Sequence, residues 1–155
     1  MRVALLGCGK QKAARTCAAR AMYRSALFRA SLRWALENCD RVFVLSAKHG
    51  LLQLDQVIQP YDETLPRRRA DRLVWGSHVG AQLVAAVGEI EAEVVVLAGE
   101  RYEQAIHFDD PEWEYHWHTP LEGLGVGERL AWLRGGRVGW LYGDDECIAD
   151  ERRAA

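Results

Sequence analysis

Four short apolar runs, each followed by small or charged residues, constrain the fold of this chain most strongly. They cover residues 2–6, 41–45, 93–97 and 114–118. The first three are near-continuous hydrophobic runs, which is typical of strands that are buried on both faces of a sheet. Helical patterns lie between them and favour right-handed crossover connections. We therefore expect a single α/β domain of three layers, with a mainly parallel sheet of four to five strands.

The segments between the strands carry helix signals of their own. Ser25 is a plausible N-cap for a helix to residue 38, in which apolar and charged side chains separate at helical spacing. Further helices are predicted over 68–87, ended by Gly88, and over 101–107 and 127–134. Residues 10–24 are interpreted as loop or a separate turn. The stretch after the second strand is interpreted as irregular, because Pro60 and Pro66 interrupt it.

The ends of the chain and its cysteines favour a compact protein of the cytoplasm. The apolar run at residues 3–6 is shorter than the ~7–15 residues of a signal-peptide core, and no run approaches the ~20 that span a membrane. The four cysteines lack any CxxC pair, so reduced thiols are expected, with no metal and no cofactor. The domain is predicted over 1–143, with an edge strand at 137–142 and a flexible tail over 144–155.

Charge is distributed unevenly, although the net charge is only −2. Residues 1–50 carry ten Lys/Arg against two Asp/Glu, whereas residues 51–100 carry four against eight and residues 101–155 carry six against twelve. A basic first third suits a partner that bears phosphate, either a nucleic acid or a nucleotide. The alternative is that these basic side chains only balance acidic neighbours in the fold.

The parallel sheet also predicts where a ligand binds. In open α/β sheets, ligands lie outside the carboxyl ends of the strands. The residues that follow the predicted strands form the segments CGKQK, SAKHGLL, AGERY and HTPLEGLGVG. We therefore expect Lys10, Ser46, His49, Glu100 and His118 to line one cleft at one edge of the sheet.

Small and basic residues after the first strand are candidates for binding an anion. Backbone N–H groups and lysine side chains suit a phosphate, although the spacing of a Walker loop is absent. The glycine-rich segment before the last helix is similar, because a helix N-terminus attracts anions. Simple turns with solvated lysines are the alternative. The candidates are Cys8, Gly9, Lys10, Lys12, Gly123 and Gly125.

Acid–base chemistry has candidates after the other strands. Lys48 and His49 lie beside Ser46, a combination that suits proton transfer or phosphate binding, although His49 is also interpretable as a structural histidine. Glu100 and Tyr102 suit a water or a sugar hydroxyl, or merely a helix N-terminus. On the fourth strand the side chains of His116 and His118 share one face, but no motif nearby supports a metal site.

Several of these segments resemble known families. VFVLSAKHGLLQLDQVIQPYDETL and VVVLAGERYEQAI resemble segments of the YaaA family of peroxide-stress proteins. CGKQK, MYRSALF and PLEGLGVGERLAWL are more similar to a family of uncharacterised bacterial and phage domains, over most of residues 3–133. A further similarity reaches the uracil-DNA glycosylase superfamily, because His118-Thr119-Pro120-Leu121 stands where that fold has a His-Pro-Ser-Pro-Leu-like loop. Lys10 and Lys12 stand where those enzymes usually carry Asp or Asn.

The polar strand ends, the basic first third, the glycine loops and these resemblances lead to three functional hypotheses. The first is a glycosylase-like fold that hydrolyses an N-glycosidic bond, with Asp62 or Glu100 as the carboxylate and His118, His49 or Lys10 holding the base or phosphate. The second is a DNA-binding stress protein without catalysis, and the third is a nucleotide sensor. The second hypothesis implies phosphate contacts from the basic residues Lys10, Lys12, Arg15, Arg20 and Arg24.

Overall fold

A computed structural model describes residues 1–88, 91–106 and 115–135, which form one α/β domain. Its main sheet has five strands in the order β4-β3-β1-β6-β7, and a two-stranded antiparallel ribbon joins β2 to β5. The strands are β1 (Arg2–Gly7), β2 (Cys17–Ala18), β3 (Arg41–Ser46), β4 (Gly50–Gln53), β5 (Val57–Ile58), β6 (Ala92–Leu97) and β7 (Tyr115–His118). The four predicted strands therefore form, and they pair in parallel.

The fifth strand of the sheet corrects the interpretation of residues after β3 as irregular. β4 turns back on β3 as an antiparallel hairpin, with Ser46 opposite Gly50. Gly50 has a φ of 72°, which a residue with a side chain adopts only at a cost. Leu51 and Leu52 are buried in this strand, so hydrophobic burial fixes the hairpin well before Pro60 interrupts the chain.

Helices cover both faces of the sheet, as expected for a three-layer domain. One apolar cluster holds the buried side chains of α2 and α5, and the cluster on the opposite face holds those of α3 and α4. The short α1 and the β2–β5 ribbon lie on the α2 side. The helices are α1 (Ala19–Met22), α2 (Ala26–Asn38), α3 (Arg69–Val87), α4 (Glu100–Ala105) and α5 (Val126–Gly135).

The two long helices begin and end where the sequence predicts. The Ser25 side chain accepts a hydrogen bond of 3.1 Å from the backbone N–H of Phe28, which caps the N-terminus of α2. Gly88 ends α3 with a φ of 94°. No helix within the described ranges is long and apolar enough to cross a membrane. The predicted edge strand and tail lie outside the described residues.

The order of the strands creates a topological switch point between β1 and β6. From β1 the chain passes through α2 on one face to reach β3, whereas it enters β6 from α3 on the opposite face. The two connections diverge there, and a crevice opens at the carboxyl ends of the two strands. The backbone at the end of β1 lies close to the backbone after β6. A Cβ atom on Gly7 would stand only 2.9 Å from the Cα of Ala98. Glycine at position 7 is therefore required by this packing.

Candidate functional site

A chain of hydroxyl groups lies beside the carboxyl ends of β1 and β3. Ser46 Oγ is 2.7 Å from the hydroxyl of Tyr61, which is in turn 2.7 Å from the hydroxyl of Tyr23. Ser46 is fully buried, and its Oγ also accepts a hydrogen bond of 3.1 Å from the backbone N–H of His49. Ser46 is therefore held in place, and its hydroxyl connects the two tyrosines to the turn after β3 by hydrogen bonds.

Backbone contacts bring the two tyrosines to this edge. The N–H groups of Ala19 and Arg20 donate to the carbonyls of Gln56 and Leu54, so α1 is held against the segment that follows β4. Tyr23 lies directly after α1, and it is buried. Its side chain therefore reaches the sheet edge although it belongs to the stretch that the sequence analysis interprets as loop.

A second contact joins the two sides of the switch point. The Sγ of Cys8, directly after β1, is 2.9 Å from the hydroxyl of Tyr102 on α4, which follows β6. The Tyr102 ring stands edge-on to that of Trp75, at 5.4 Å between centroids, and Trp75 Nε1 donates to the carbonyl of Ser46. We call Cys8, Tyr23, Ser46, Tyr61 and Tyr102 the switch-point cluster.

Residues of the switch-point cluster shift one another's pKa values. Burial raises the pKa of Tyr23 to about 12, and it also raises those of Tyr61 and Tyr102. Interaction with Cys8 raises the pKa of all three phenols further. The phenols are therefore neutral at physiological pH and act as hydrogen-bond donors as well as acceptors.

Cationic and aromatic groups surround the cluster. Lys12 Nζ lies 4.6 Å from the centroid of the Tyr61 ring, and the His49 ring packs edge-on against the same ring at 5.5 Å. Lys10 is exposed in the loop after β1. Lys48 is half exposed, and its Nζ lies 3.9 Å from a carboxylate oxygen of Glu63. The arrangement offers positive charge and aromatic edges to an anionic, planar ligand.

The two candidate carboxylates lie at the rim and not among the buried groups. Glu100 is exposed at the first residue of α4, and its Oε1 accepts a hydrogen bond of 2.9 Å from Gln104 Nε2. Asp62 is exposed and directly follows Tyr61. Both are accessible to a ligand that occupies the edge of the sheet.

A cleft of about 460 Å³ opens beside α4. One of its carboxylates, Glu103, is only 9% exposed, and its Oε1 is buried with no hydrogen-bond partner. Burial raises the pKa of Glu103, and the Arg129 guanidinium opposes that shift. α4 therefore carries residues of both the cleft and the switch-point cluster, because Tyr102 directly precedes Glu103. The cleft is lined by Arg69, Glu100, Glu103, Gln104, Thr119 and Glu122.

His118 is set apart from the cluster. It pairs with Val95, within β6, and burial lowers its pKa while the Glu93 carboxylate opposes that shift. The remaining groups that affect its pKa are His116, two residues earlier on β7, and Arg2, at the start of β1. His118 Nε2 is buried without a hydrogen-bond partner.

The remaining sequence candidates lie on loops around this edge. Gly9 would place a Cβ atom 3.2 Å from Ser25 Oγ, so it packs closely against the cap of α2. Gly123 and Gly125 are exposed in the segment before α5. Within the described ranges, no group of three or more His, Cys, Asp or Glu side chains is arranged to hold a metal ion.

Tyr23, Tyr61 and Trp75 were not predicted as members or supports of the site. The signal for Tyr61 was its place between Pro60 and Asp62, in a segment rich in polar residues. Tyr23 and Trp75 gave no comparable signal, because an aromatic residue beside or within a helix is usually part of the core. Only the packing of α1 and α3 on the sheet brings them here.

These features define a class: a three-layer α/β domain with a polar site at the switch point of a mainly parallel sheet. Residues 3–135 match a family of unknown function, DUF6884, and the chain belongs to that family. Among curated proteins, none matches the chain.

Proposed function

We propose that this protein processes a nucleobase, as a hydrolase of an N-glycosidic bond that resembles a DNA glycosylase. The observation that carries the proposal is the switch-point cluster. Neutral phenols lie there, with Lys12 and His49 packed against Tyr61, at the position where α/β sheets bind ligands. Helix α4 carries both Tyr102 of the cluster and Glu103 of a cleft of about 460 Å³. That cleft has the size of the pockets that take small planar ligands.

The chemistry requires stabilisation of a cationic sugar and of a departing base. In the proposed mechanism, a carboxylate at the rim stabilises the cationic sugar as the bond between its anomeric carbon and the base breaks. A water molecule adds to that carbon, and its proton passes to the departing base. Glu100 is the first choice for this role, because it lines the cleft and directly follows the loop after β6. Asp62 is the second choice, because it directly follows Tyr61, which belongs to the switch-point cluster.

Other groups at the same edge would hold the substrate. Lys12, which is fixed over the Tyr61 ring, and the exposed Lys10 would neutralise a phosphate. His49 would present its ring edge to the phosphate. Its ring packs against Tyr61, and its backbone N–H is bonded to Ser46. His118 would have to act from β7, at the far side of β6.

A test of the proposal is direct detection of released base. The purified chain is incubated with DNA and RNA oligonucleotides that contain ordinary and modified bases, and with free nucleotides, and mass spectrometry identifies any free base. A Glu100→Gln/Asp62→Asn double variant, prepared in the same way, controls for contaminating glycosylases. Base release by the wild type alone supports the proposal, and equal release by both proteins contradicts it.

A specific contact favours a second candidate, a nucleotide-binding module without turnover. The Glu100 carboxylate accepts from Gln104 one helical turn further on, as exposed helix side chains commonly do. A carboxylate engaged in this way would only stabilise α4. In that case the cluster and the lysines would bind a nucleotide, and no base would be released from any substrate.

A further inference from the structure

The buried oxygen of Glu103 is the feature of the cleft that most needs a ligand to explain it. Glu103 is more than nine-tenths buried, and its Oε1 has no hydrogen-bond partner. Buried polar atoms in native proteins are almost always bonded, and an orphaned carboxylate oxygen is costly. Because Glu103 also lines the cleft, a donor from a bound molecule would complete its hydrogen bonding.

The neighbouring groups are already engaged. Arg129 donates to the carbonyls of Leu124 at 2.8 Å and Ala98 at 2.9 Å, and none of its N–H groups is bonded to Glu103 Oε1. The Glu122 carboxylate accepts from Thr119 at 3.0 Å, and Glu100 accepts from Gln104. With three glutamates against Arg69, the lining of the cleft is acidic and suits a ligand that is rich in N–H donors.

We infer that Glu103 recognises the guanine edge of a purine, by accepting hydrogen bonds from the ring N–H and the exocyclic amino group. This inference names the substrate class of the proposed function and rests on it. A carboxylate has two oxygens side by side, and its matching partner is a pair of parallel N–H donors, as in the bidentate pairing of a carboxylate with arginine.

Chemistry separates guanine from the other bases. Adenine and cytosine present an amino group beside a ring nitrogen that is an acceptor, which would face a carboxylate oxygen with repulsion. Uracil and thymine present one N–H between two carbonyl acceptors. Guanine alone among the ordinary bases presents two adjacent donors on its Watson–Crick edge, the edge that enzymes read when a base leaves the stack.

The position of Glu103 on α4 suits such a role. Glu100 lies three residues earlier, so the two side chains are neighbours on one face of the helix. Both line the cleft. A base held by Glu103 would therefore bring its glycosidic bond towards Glu100.

The experiment compares guanosine 5′-monophosphate with inosine 5′-monophosphate, which lacks only the exocyclic amino group. Both nucleotides, and short single-stranded oligonucleotides containing either guanine or hypoxanthine, are titrated into the full chain by calorimetry. We expect the guanine ligand to bind about tenfold more tightly. The hypoxanthine ligand lacks the exocyclic amino group and therefore leaves a buried acceptor unsatisfied. In Glu103→Gln this preference should disappear, because an amide offers one acceptor where the carboxylate offers two.

Glu128→Gln is the control, since it changes an exposed carboxylate of α5 that does not line the cleft. It should keep the preference for guanine, and thermal unfolding should show that both variants are folded.

Three results would overturn the inference: equal affinity for the guanine and hypoxanthine ligands, absence of binding by either, or a preference that survives in Glu103→Gln. Base release without any dependence on Glu103 would overturn it too, while leaving the proposed hydrolase intact. Guanine binding that depends on Glu103, without release of any base, would support it and contradict the hydrolase.

Discussion

The thiol of Cys8 and the hydroxyl of Tyr102 meet at 2.9 Å across the switch point of the sheet. Cys8 follows β1 and Tyr102 lies on the helix that follows β6, so this contact connects the two walls of the crevice where a ligand is expected. The edge-on packing of Tyr102 on Trp75 fixes the ring independently of its hydroxyl. The hydroxyl and the ring are therefore separable by mutation.

Tyr102→Phe tests the role of that hydroxyl. The ring stays packed on Trp75, so we expect a loss of only about 1 kcal/mol in the free energy of unfolding, the usual net worth of one hydrogen bond. Ligand affinity or base release should fall by about tenfold or more, corresponding to ~1.4 kcal/mol. Urea unfolding and calorimetric titration measure the two effects. Tyr115→Phe, which removes a hydroxyl bonded to the carbonyl of Gly88, is the control that should spare binding. A binding defect of equal size in both variants would show that Tyr102 acts through stability alone.

Replacement of both Lys10 and Lys12 by alanine tests the phosphate contacts. Binding of a nucleic acid or nucleotide should weaken, and the slope of log affinity against log salt should flatten by about one to two, since each phosphate contact contributes roughly one. Fluorescence anisotropy at several salt concentrations gives the slope. Arg20→Ala is the control from the same basic third, because Arg20 is already paired with Asp55 at 2.9 Å. An unchanged slope in the lysine variant would mean that these lysines are only solvated surface charges.

Removal of the charge from the rim carboxylates distinguishes an enzyme from a binding protein. Glu100→Gln, or failing that Asp62→Asn, should abolish base release and leave ligand affinity nearly intact, because a catalytic carboxylate acts on the transition state more than on the ground state. Glu128→Gln, an exposed carboxylate on α5, should change neither quantity. Single-turnover release and equilibrium binding are compared in each protein. Base release at the wild-type rate in both variants would exclude the two residues from catalysis.

The buried phenol of Tyr23 predicts a loss of stability in alkaline solution. Burial raises its pKa from 10.0 to about 12 in the folded protein, so the unfolded chain loses this proton first as the pH rises. The stabilising contribution is fully present below about pH 10 and is lost progressively towards about pH 12. Urea unfolding at a series of alkaline pH values should show the decline, and Tyr23→Phe should reduce it. A decline of equal steepness in the variant would assign the effect to other groups.

Much of the fold was predictable because each element carries its own local signal. The cap at Ser25, the glycine that ends α3 and the apolar runs of the parallel strands are all short-range features, and the structure confirms them. β4 was missed because its four residues, Gly50–Gln53, show no alternation and precede prolines. Its pairing with β3 depends on the turn at residues 47–49 and on the positive φ of Gly50, which the sequence did not distinguish from irregular structure.

The strand ends predicted where the switch-point cluster lies, but they did not predict all of the residues that form it. The rule that ligands bind beyond the carboxyl ends of parallel strands indicated Cys8, Ser46, His49 and Tyr102, and the structure brings them to one edge. Tyr23 and Tyr61 reach Ser46 only because α1 and the segment after β4 pack together, which is a long-range outcome. His118 ends β7, opposite Val95 of β6, and the next residue, Thr119, lines the cleft beside α4.

The contact between Cys8 and Tyr102 also has a consequence for the order in which the molecule is assembled. The two residues lie 94 positions apart in the sequence, so the crevice cannot form until β6 has docked beside β1. Closing so long a loop is entropically costly and occurs late compared with local hairpins and helices. A ligand bound in the crevice would therefore stabilise only the fully folded chain, and its binding would report that folding is complete.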